Sequence, residues 1–465
     1  MNNFILLNII LFIYMHIYAK VQFMSLYTLE VSKNTKEYRC RKPQYSLYYQ
    51  CIEDNYEAFE RVYDTKYQEK FGYFRSIVSK VIYQYLDCGI LANGFARVRC
   101  RECKNEYLLA FSCKRRHFCP SCHAKRVAAF GEFACLNVLK NVPHRHFVFS
   151  IPKIIRIYFL FDRTLLKELA RIAWEVLSAY YKNAAGKNGV APAAICSIQT
   201  FGDMLGFNPH LHILAADGGF NDNGTFYAAA ADLNASILEP LFRHKILAML
   251  KKKGLIGERV IELISSWRHS GFNVYCTDRI YPRDTTSMEN LARYIIRASF
   301  SQERLSYLSE SSRVIYKSKD GKDTKEFDAL DFIASICSHI PNRNEQMVRY
   351  VGFYSNVCRG KRKKQGRAES DYVIEDDSYN KSCSKSWARL IKKIYEVDPL
   401  TCPKCGGDMR IIAFIEDCKV IKKILDWLGI YEFKRDRPPP KRLAVADSFD
   451  DYAQNDYINA DYTDF

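Results

Sequence analysis

At 465 residues the chain is too long for a single core, so two or three domains are expected. Its 48% hydrophobic content supports packed cores, and its net charge of +17 points to a polyanionic partner, nucleic acid first. The 17 cysteines follow no evenly spaced disulfide pattern, which argues against a secreted disulfide scaffold and for metal ligands in a reducing cytoplasm.

In chain order, residues 4–18 (FILLNIILFIYMHIY) are nearly all apolar. The run is short for a membrane span and lacks the charged start of a signal peptide. With Met24 just beyond, residues 1–23 read as an over-extended start, and no membrane partner is expected. Residues 56–87 carry a helical period at Phe74, Ile77, Val78, Val81, Ile82 and Tyr85. Together with the cysteine-rich stretch that follows, residues 24–130 are expected to form a helical, zinc-binding and DNA-binding domain. From Arg97 to Arg126 there are nine Lys or Arg and two Glu. Arg97, Arg99, Arg101, Lys114, Arg115, Arg116, Lys125 and Arg126 are the candidate phosphate contacts.

A catalytic domain is expected over 140–360. HFVFSI (146–151) reads as a buried strand and 162–181 as an amphipathic helix. AICSIQTF (194–201) and HLHILA (210–215) read as two strands joined by a turn with Gly206, Asn208 and Pro209. Residues 238–251, 288–298 and 343–356 read as helices, the last carrying Tyr350 and Tyr354. A basic loop from Asn356 to Arg367 follows, with six Lys or Arg and no acid. A small unit with Cys402-Pro-Lys-Cys405 spans 385–432. The acidic tail, 436–465, has three prolines and then, between Val445 and Phe465, six Asp without a base, and it reads as disordered.

Three constellations carry chemistry. Cys100-x-x-Cys103 and Cys119-x-x-Cys122 are expected to place four thiolates on one structural zinc, with Cys88, Cys113, His117 and His123 as spare ligands. Cys402 and Cys405 have no obvious partner pair; Cys383 or Cys418 could join them. In Asn208-Pro209-His210-Leu211-His212, the two histidines stand at i and i+2 of a strand and share a face, where two imidazoles can hold a divalent metal. His144-Arg145-His146 is a rival pair with a charged middle residue. Tyr350 and Tyr354 are four apart and, on a helix, would share a face; a phenolate can attack a phosphodiester.

The stretches GFARVRCRECKNEYLLAFSCKRRHFCPSCHAKR (94–126), IQTFGDMLGFNPHLHILAADGGF (198–220), HIPNRNEQMVRYVGFYSN (339–356) and DPLTCPKCGGDMRIIAFI (398–415) together resemble the rolling-circle insertion-sequence transposases with two catalytic tyrosines, of the His-hydrophobe-His endonuclease superfamily. The resemblance covers residues 38 to 430 and departs at Val351, where the family usually has an aromatic. It implies an α+β fold: a central antiparallel sheet with packed helices, preceded by a small zinc-binding domain. It also implies cleavage and rejoining of single-stranded DNA through 5′-phosphotyrosines on Tyr350 and Tyr354. His210 and His212 would hold Mg²⁺ or Mn²⁺, with Gln346 or Gln199 as third ligand, and Zn²⁺ would be structural. The partners implied are the ends of the protein's own element and a DNA target, met in the cytoplasm at the nucleoid. A plasmid replication initiator or relaxase-like nickase, and a non-catalytic zinc-dependent DNA-binding protein, are the alternative readings.

Overall fold

A computed structural model of the chain describes residues 42–115, 117–185, 187–229, 237–366 and 399–430. The apolar segment 1–23, Arg116, Arg367, Cys383 and the acidic tail lie outside the described residues. No helix among the described residues is long and apolar enough to cross a membrane.

The elements begin with helices α1 (Leu47–Lys66) and α2 (Ser76–Leu86), then a hairpin of β1 (Phe95–Cys100) and β2 (Glu106–Ala110). Ser46 caps α1 by accepting from the Tyr49 amide, which satisfies one of the free N–H groups of its first turn. The single helical stretch expected over 56–87 is broken at Gly72, whose φ of +83° belongs to the left-handed region that glycine tolerates. Next come α3 (Pro120–Asn137), β3 (His144–Ser150), α4 (Lys153–Phe161), α5 (Leu165–Ala184), β4 (Ala191–Phe201), β5 (Phe207–Phe220) and β6 (Phe226–Ala228). They are followed by α6 (Leu238–Lys252), α7 (Glu258–Ser266), β7 (Asn273–Cys276) and α8 (Thr285–Tyr294). A meander of β8 (Leu305–Leu308), β9 (Arg313–Lys317) and β10 (Thr324–Asp328) leads to α9 (Ala329–Cys337). The last elements are β11 (Val348–Gly352), α10 (Asn356–Lys364), β12 (Met409–Ile415) and α11 (Cys418–Leu428).

The central sheet runs β11-β4-β5-β3-β7, with β6 on the end of β5, and all its pairs are antiparallel. Strand alternation divides its side chains. Phe147, Phe149, Ile198, Leu211 and Ile213 turn to one face, where α4 to α7 cover them. Ile195, Leu214, Ala216 and Val348 turn to the other, under α3 and α8. That second face also carries the buried polar residues His144, His146, Ser197, Gln199, His210 and His212. The fold class is α+β, as expected. A separate core joins α1, α2 and α9 to the meander β8–β10, a sheet that sequence patterning did not foresee.

Two expectations are corrected. Residues 343–356 are not a helix: Val348–Gly352 pair with Ser197–Ala193 of β4 as an outer strand of the sheet. Gly352 turns the chain at φ +62°, where a Cβ would lie 1.9 Å from the Pro192 carbonyl oxygen, and a helix starts only after Ser355. The C-terminal unit does not stand alone either. β12 adds to the β1–β2 hairpin to give a sheet in the order β12-β1-β2.

Candidate active site and metal centres

His210 and His212 share the second face of the sheet, as their i, i+2 spacing requires. His210 donates from Nδ1 to the Asn208 carbonyl oxygen at 2.8 Å, which leaves its Nε2 with a lone pair. Nδ1 of His212 lies 2.9 Å from Nε2 of His146 on the neighbouring strand, and Nε2 of His212 is buried with no partner. The rival motif thus contributes His146 as a neighbour that orients His212, in the manner of the outer partners of metal-bound histidines. Burial lowers the pKa of all three. His146 falls to about 4, and His212, pushed further by His210, His146 and Arg297, falls to about 2. Neutral imidazoles at neutral pH are the form that binds a cation.

Gln199 lies directly across from His210 in the β4–β5 register. Its Nε2 donates to the Ile295 carbonyl oxygen at 2.9 Å, and its Oε1 is buried without a partner. Gln346 is exposed in the loop before β11, so Gln199 is the candidate third ligand that the fold brings to the pair. The donor set, two imidazole nitrogens and an amide oxygen, can hold a divalent cation, and two of these atoms are orphaned in the protein's own hydrogen bonding. The three imidazoles do not by themselves bring three donor atoms within 4.8 Å of one another.

The tyrosines fall in places that the sequence did not indicate. Tyr350, on β11, lies two strands and two residues from His212, roughly 12 Å at Cα from strand spacing and rise. Its ring packs on Phe133 and lies under Arg359, and burial raises its pKa. Tyr354 is fully buried. His144 donates from Nδ1 to the Val142 carbonyl oxygen at 2.7 Å, so its Nε2, 2.9 Å from the Tyr354 hydroxyl, accepts from it. The same hydroxyl accepts from the Lys140 amide at 3.1 Å. The pair therefore shares no helix face, and Tyr354 is enclosed.

Tyr294, the last residue of α8, is the tyrosine that meets the histidines. Its ring centroid lies 5.5 Å from that of His212 and 6.3 Å from that of His146, and the residue is 39% exposed. The Arg297 guanidinium lies 4.7 Å over the ring. The turn after Tyr294 is fixed from two sides: Gln199 binds the Ile295 carbonyl, and Nε2 of His123 binds that of Ile296 at 2.8 Å. Nothing in the spacing around Tyr294 marks it among 32 tyrosines; an arginine one helical turn later was the available signal.

A cleft opens beside this site, lined in part by Ser197, Gln199 and Arg297 from the central-sheet side and by His117 and Arg126 from the cysteine-rich region. Of the other expected phosphate contacts, Arg99, Arg101 and Lys114 are exposed, while Arg115 and Lys125 are half-buried. Arg97 is paired with Glu106 through both its Nε and Nη2.

Among the described residues, eight cysteines form two groups, each with four Sγ atoms within 4.8 Å of one another: Cys88, Cys113, Cys119 and Cys122, and Cys100, Cys103, Cys402 and Cys405. The expected set of Cys100, Cys103, Cys119 and Cys122 is therefore split. The hairpin is the reason. Cys88 precedes β1 and Cys113 follows β2, so both stand at its open end, where the Cys113 amide donates to the Cys88 sulfur at 3.3 Å. Cys100 and Cys103 stand at its tip, and β1 alone is 6 residues long, roughly 20 Å. In the first group the sulfur separations include 3.9 Å (Cys88–Cys119), 4.0 Å (Cys88–Cys122) and 3.6 Å (Cys113–Cys122). Tetrahedral thiolates at the usual Zn–S length stand about 3.8 Å apart. His117 and His123 are not in either group.

Comparison with known proteins agrees with this layout. Residues 58–151 match a family described as "Transposase zinc-binding domain", and residues 193–362 match one described as "Putative transposase". The zinc-binding match takes in the first cysteine group whole but stops well before Cys402. The chain is 23% identical over 375 residues to the transposase for insertion sequence element IS801 of Pseudomonas savastanoi pv. phaseolicola, covering 75% of this chain and 87% of that one. It is also 23% identical over 303 residues to the putative transposase y4qJ of Sinorhizobium fredii (strain NBRC 101917 / NGR234), covering 60% of this chain and 75% of the relative. No solved structure matches it. With a zinc-binding and a transposase domain matched in that order, and transposases similar to it over most of its length, the chain belongs to the rolling-circle insertion-sequence transposases with an N-terminal zinc-binding domain, the family its motifs resemble.

Proposed function

We propose that this transposase cleaves and rejoins single-stranded DNA by transesterification, with Tyr294 as nucleophile and with His210, His212 and Gln199 as ligands of Mg²⁺ or Mn²⁺. The supporting observation is the partly exposed Tyr294 ring set against His212 and His146. The phenol oxygen attacks phosphorus, the bond to the 3′ oxygen breaks, and the departing DNA strand takes a proton as its 3′ hydroxyl. The 5′ end stays on the tyrosine, and a second 3′ hydroxyl reverses the step, so no outside energy source is needed. The Arg297 guanidinium stands 4.7 Å over the Tyr294 ring, beside the oxyanions that the attack creates. A cation on the three ligands would polarise the scissile phosphate and stabilise charge on its oxygens.

The two-tyrosine form of this reading has Tyr350 and Tyr354 reacting in turn. It requires Tyr354 to leave His144, whereas Tyr350 shares the histidines' sheet face two strands away and Tyr294 already stands beside His212. Affinity for DNA is assigned to the basic surface of the zinc-binding region, including Arg99, Arg101 and Lys114, and to Arg126 at the cleft. It should fall steeply with salt as phosphate contacts release counterions. Such a protein would act in the cytoplasm at the nucleoid, moving its own element by rolling-circle transposition.

The test is incubation with single-stranded DNA from the element's end plus Mn²⁺, followed by denaturing electrophoresis. A covalent protein–DNA band that disappears in Tyr294→Phe is expected. DNA binding without any adduct would leave the non-catalytic DNA-binding reading instead.

A further inference from the structure

We infer that Cys100, Cys103, Cys402 and Cys405 hold a second zinc ion, and that this zinc is the clasp that fastens the C-terminal unit to the N-terminal domain. The two halves of the site are 299 residues or more apart in sequence, yet the Sγ atoms of Cys100 and Cys405, and those of Cys103 and Cys402, are 3.5 Å apart. All four lie within 4.8 Å of one another, the range in which thiolates bind one tetrahedral ion.

The backbone around them is built twice in the same way. The Cys100 amide donates to the Asn105 carbonyl oxygen at 2.8 Å, and the Cys402 amide donates to that of Gly407 at 2.8 Å, five residues on in both cases. The residue after each second cysteine takes a left-handed conformation: Lys104 at φ +61° and Gly406 at φ +72°. Two matching knuckles therefore face each other with all four sulfurs inward. A Cβ on Gly407 would lie 2.9 Å from Cγ of Glu102, which shows how closely the knuckles approach.

The apolar contacts that accompany the knuckles are small. One cluster has the buried residues Val98, Cys100, Cys402 and Met409, and the other has Phe95, Ile421 and Leu425. Cores of that size gain from a staple, and a metal clip that closes a long loop is where a staple stabilises most. Four zinc–thiolate bonds supply one, since metal binding contributes directly to folding. Closed by four protein ligands, the ion has no open position for substrate, so its work is structural. This inference does not depend on which tyrosine reacts.

The metal content of the full chain, purified without chelator, tests the count. Two zinc ions per chain are expected; one per chain, or iron in place of the second zinc, would overturn the inference. The double substitution Cys402→Ser with Cys405→Ser should lower the count to one. In that variant, backbone hydrogen exchange of residues 409–415 should become fast while that of β3, β4 and β5 stays slow. A variant that keeps two zinc ions, or that keeps β12 fully protected, would likewise refute the clasp. If the variant does not fold, the zinc count of the unaltered chain still decides the matter.

Discussion

One face of the central sheet carries two tyrosine–histidine contacts, and they differ in what is left over. At Tyr354 and His144 every described polar atom is used: His144 donates to Val142 and accepts from Tyr354, which accepts in turn from Lys140. The tyrosine is fully buried. At Tyr294 the ring is partly exposed, and its histidine neighbour His212 keeps a buried nitrogen with no partner. Buried polar groups are almost always paired, because an orphan costs roughly 1–3 kcal/mol. A closed contact is thus accounted for by stability. An open one costs stability and is accounted for by a ligand that completes it. The same residue types, one sheet register apart, are read as a structural strut and as a reactive centre.

Removing single oxygens separates the two contacts most sharply. Tyr294→Phe should abolish covalent adduct formation while leaving affinity for single-stranded DNA unchanged, as a gel-shift assay can measure. Tyr354→Phe should keep the adduct. If instead Tyr354→Phe, correctly folded, lost the adduct, the strut and the centre would have been assigned the wrong way round. Next in size, His212→Ala and His210→Ala should each slow cleavage at least about 100-fold, since even outer partners of a metal ligand cost 10–100-fold. DNA binding should change little. Equal loss of binding and cleavage would mean that these histidines support the fold rather than the reaction.

Smaller effects fall on stability. Tyr354→Phe should cost about 1–3 kcal/mol in urea unfolding, because His144 Nε2 and the Lys140 amide lose a buried partner. The smallest expected effect is on pH dependence. Burial holds His144 and His339 neutral, with pKa values lowered from the usual 6.5 to about 4. The unfolded chain binds the extra protons first, so their contribution is present above pH 6.5 and is lost as pH falls toward 4. Unfolding midpoints measured across that window should fall with acid; a flat profile would show that neither imidazole is held neutral.

The strands of the proposed site were legible from their residue patterns. The apolar run 146–151 indicated β3, and the i, i+2 histidines beside Leu211 and Ile213 indicated β5 and the shared direction of His210 and His212. The cysteine knuckles were legible one by one, but their pairing was not. Cys402 meets Cys103 only because β12 joins β1, a contact between distant segments that no local spacing encodes. The helix read over 343–356 failed because an i, i+4 tyrosine spacing is equally compatible with a strand followed by a turn; pairing with β4 and the positive φ of Gly352 decided it. Tyr294 was hidden for the opposite reason. It ends a helix that was expected, and only the packing of α8 over the sheet turns it toward the histidines.

The most direct test is to identify the residue that carries the DNA. The covalent adduct formed on single-stranded DNA with Mn²⁺ is trimmed with nuclease and digested, and the nucleotide-bearing peptide is located by mass spectrometry. The expected peptide contains Tyr294 with a 5′-linked nucleotide. A nucleotide on Tyr350 or Tyr354, with Tyr294 unmodified, would contradict the assignment of the open contact as the reactive centre.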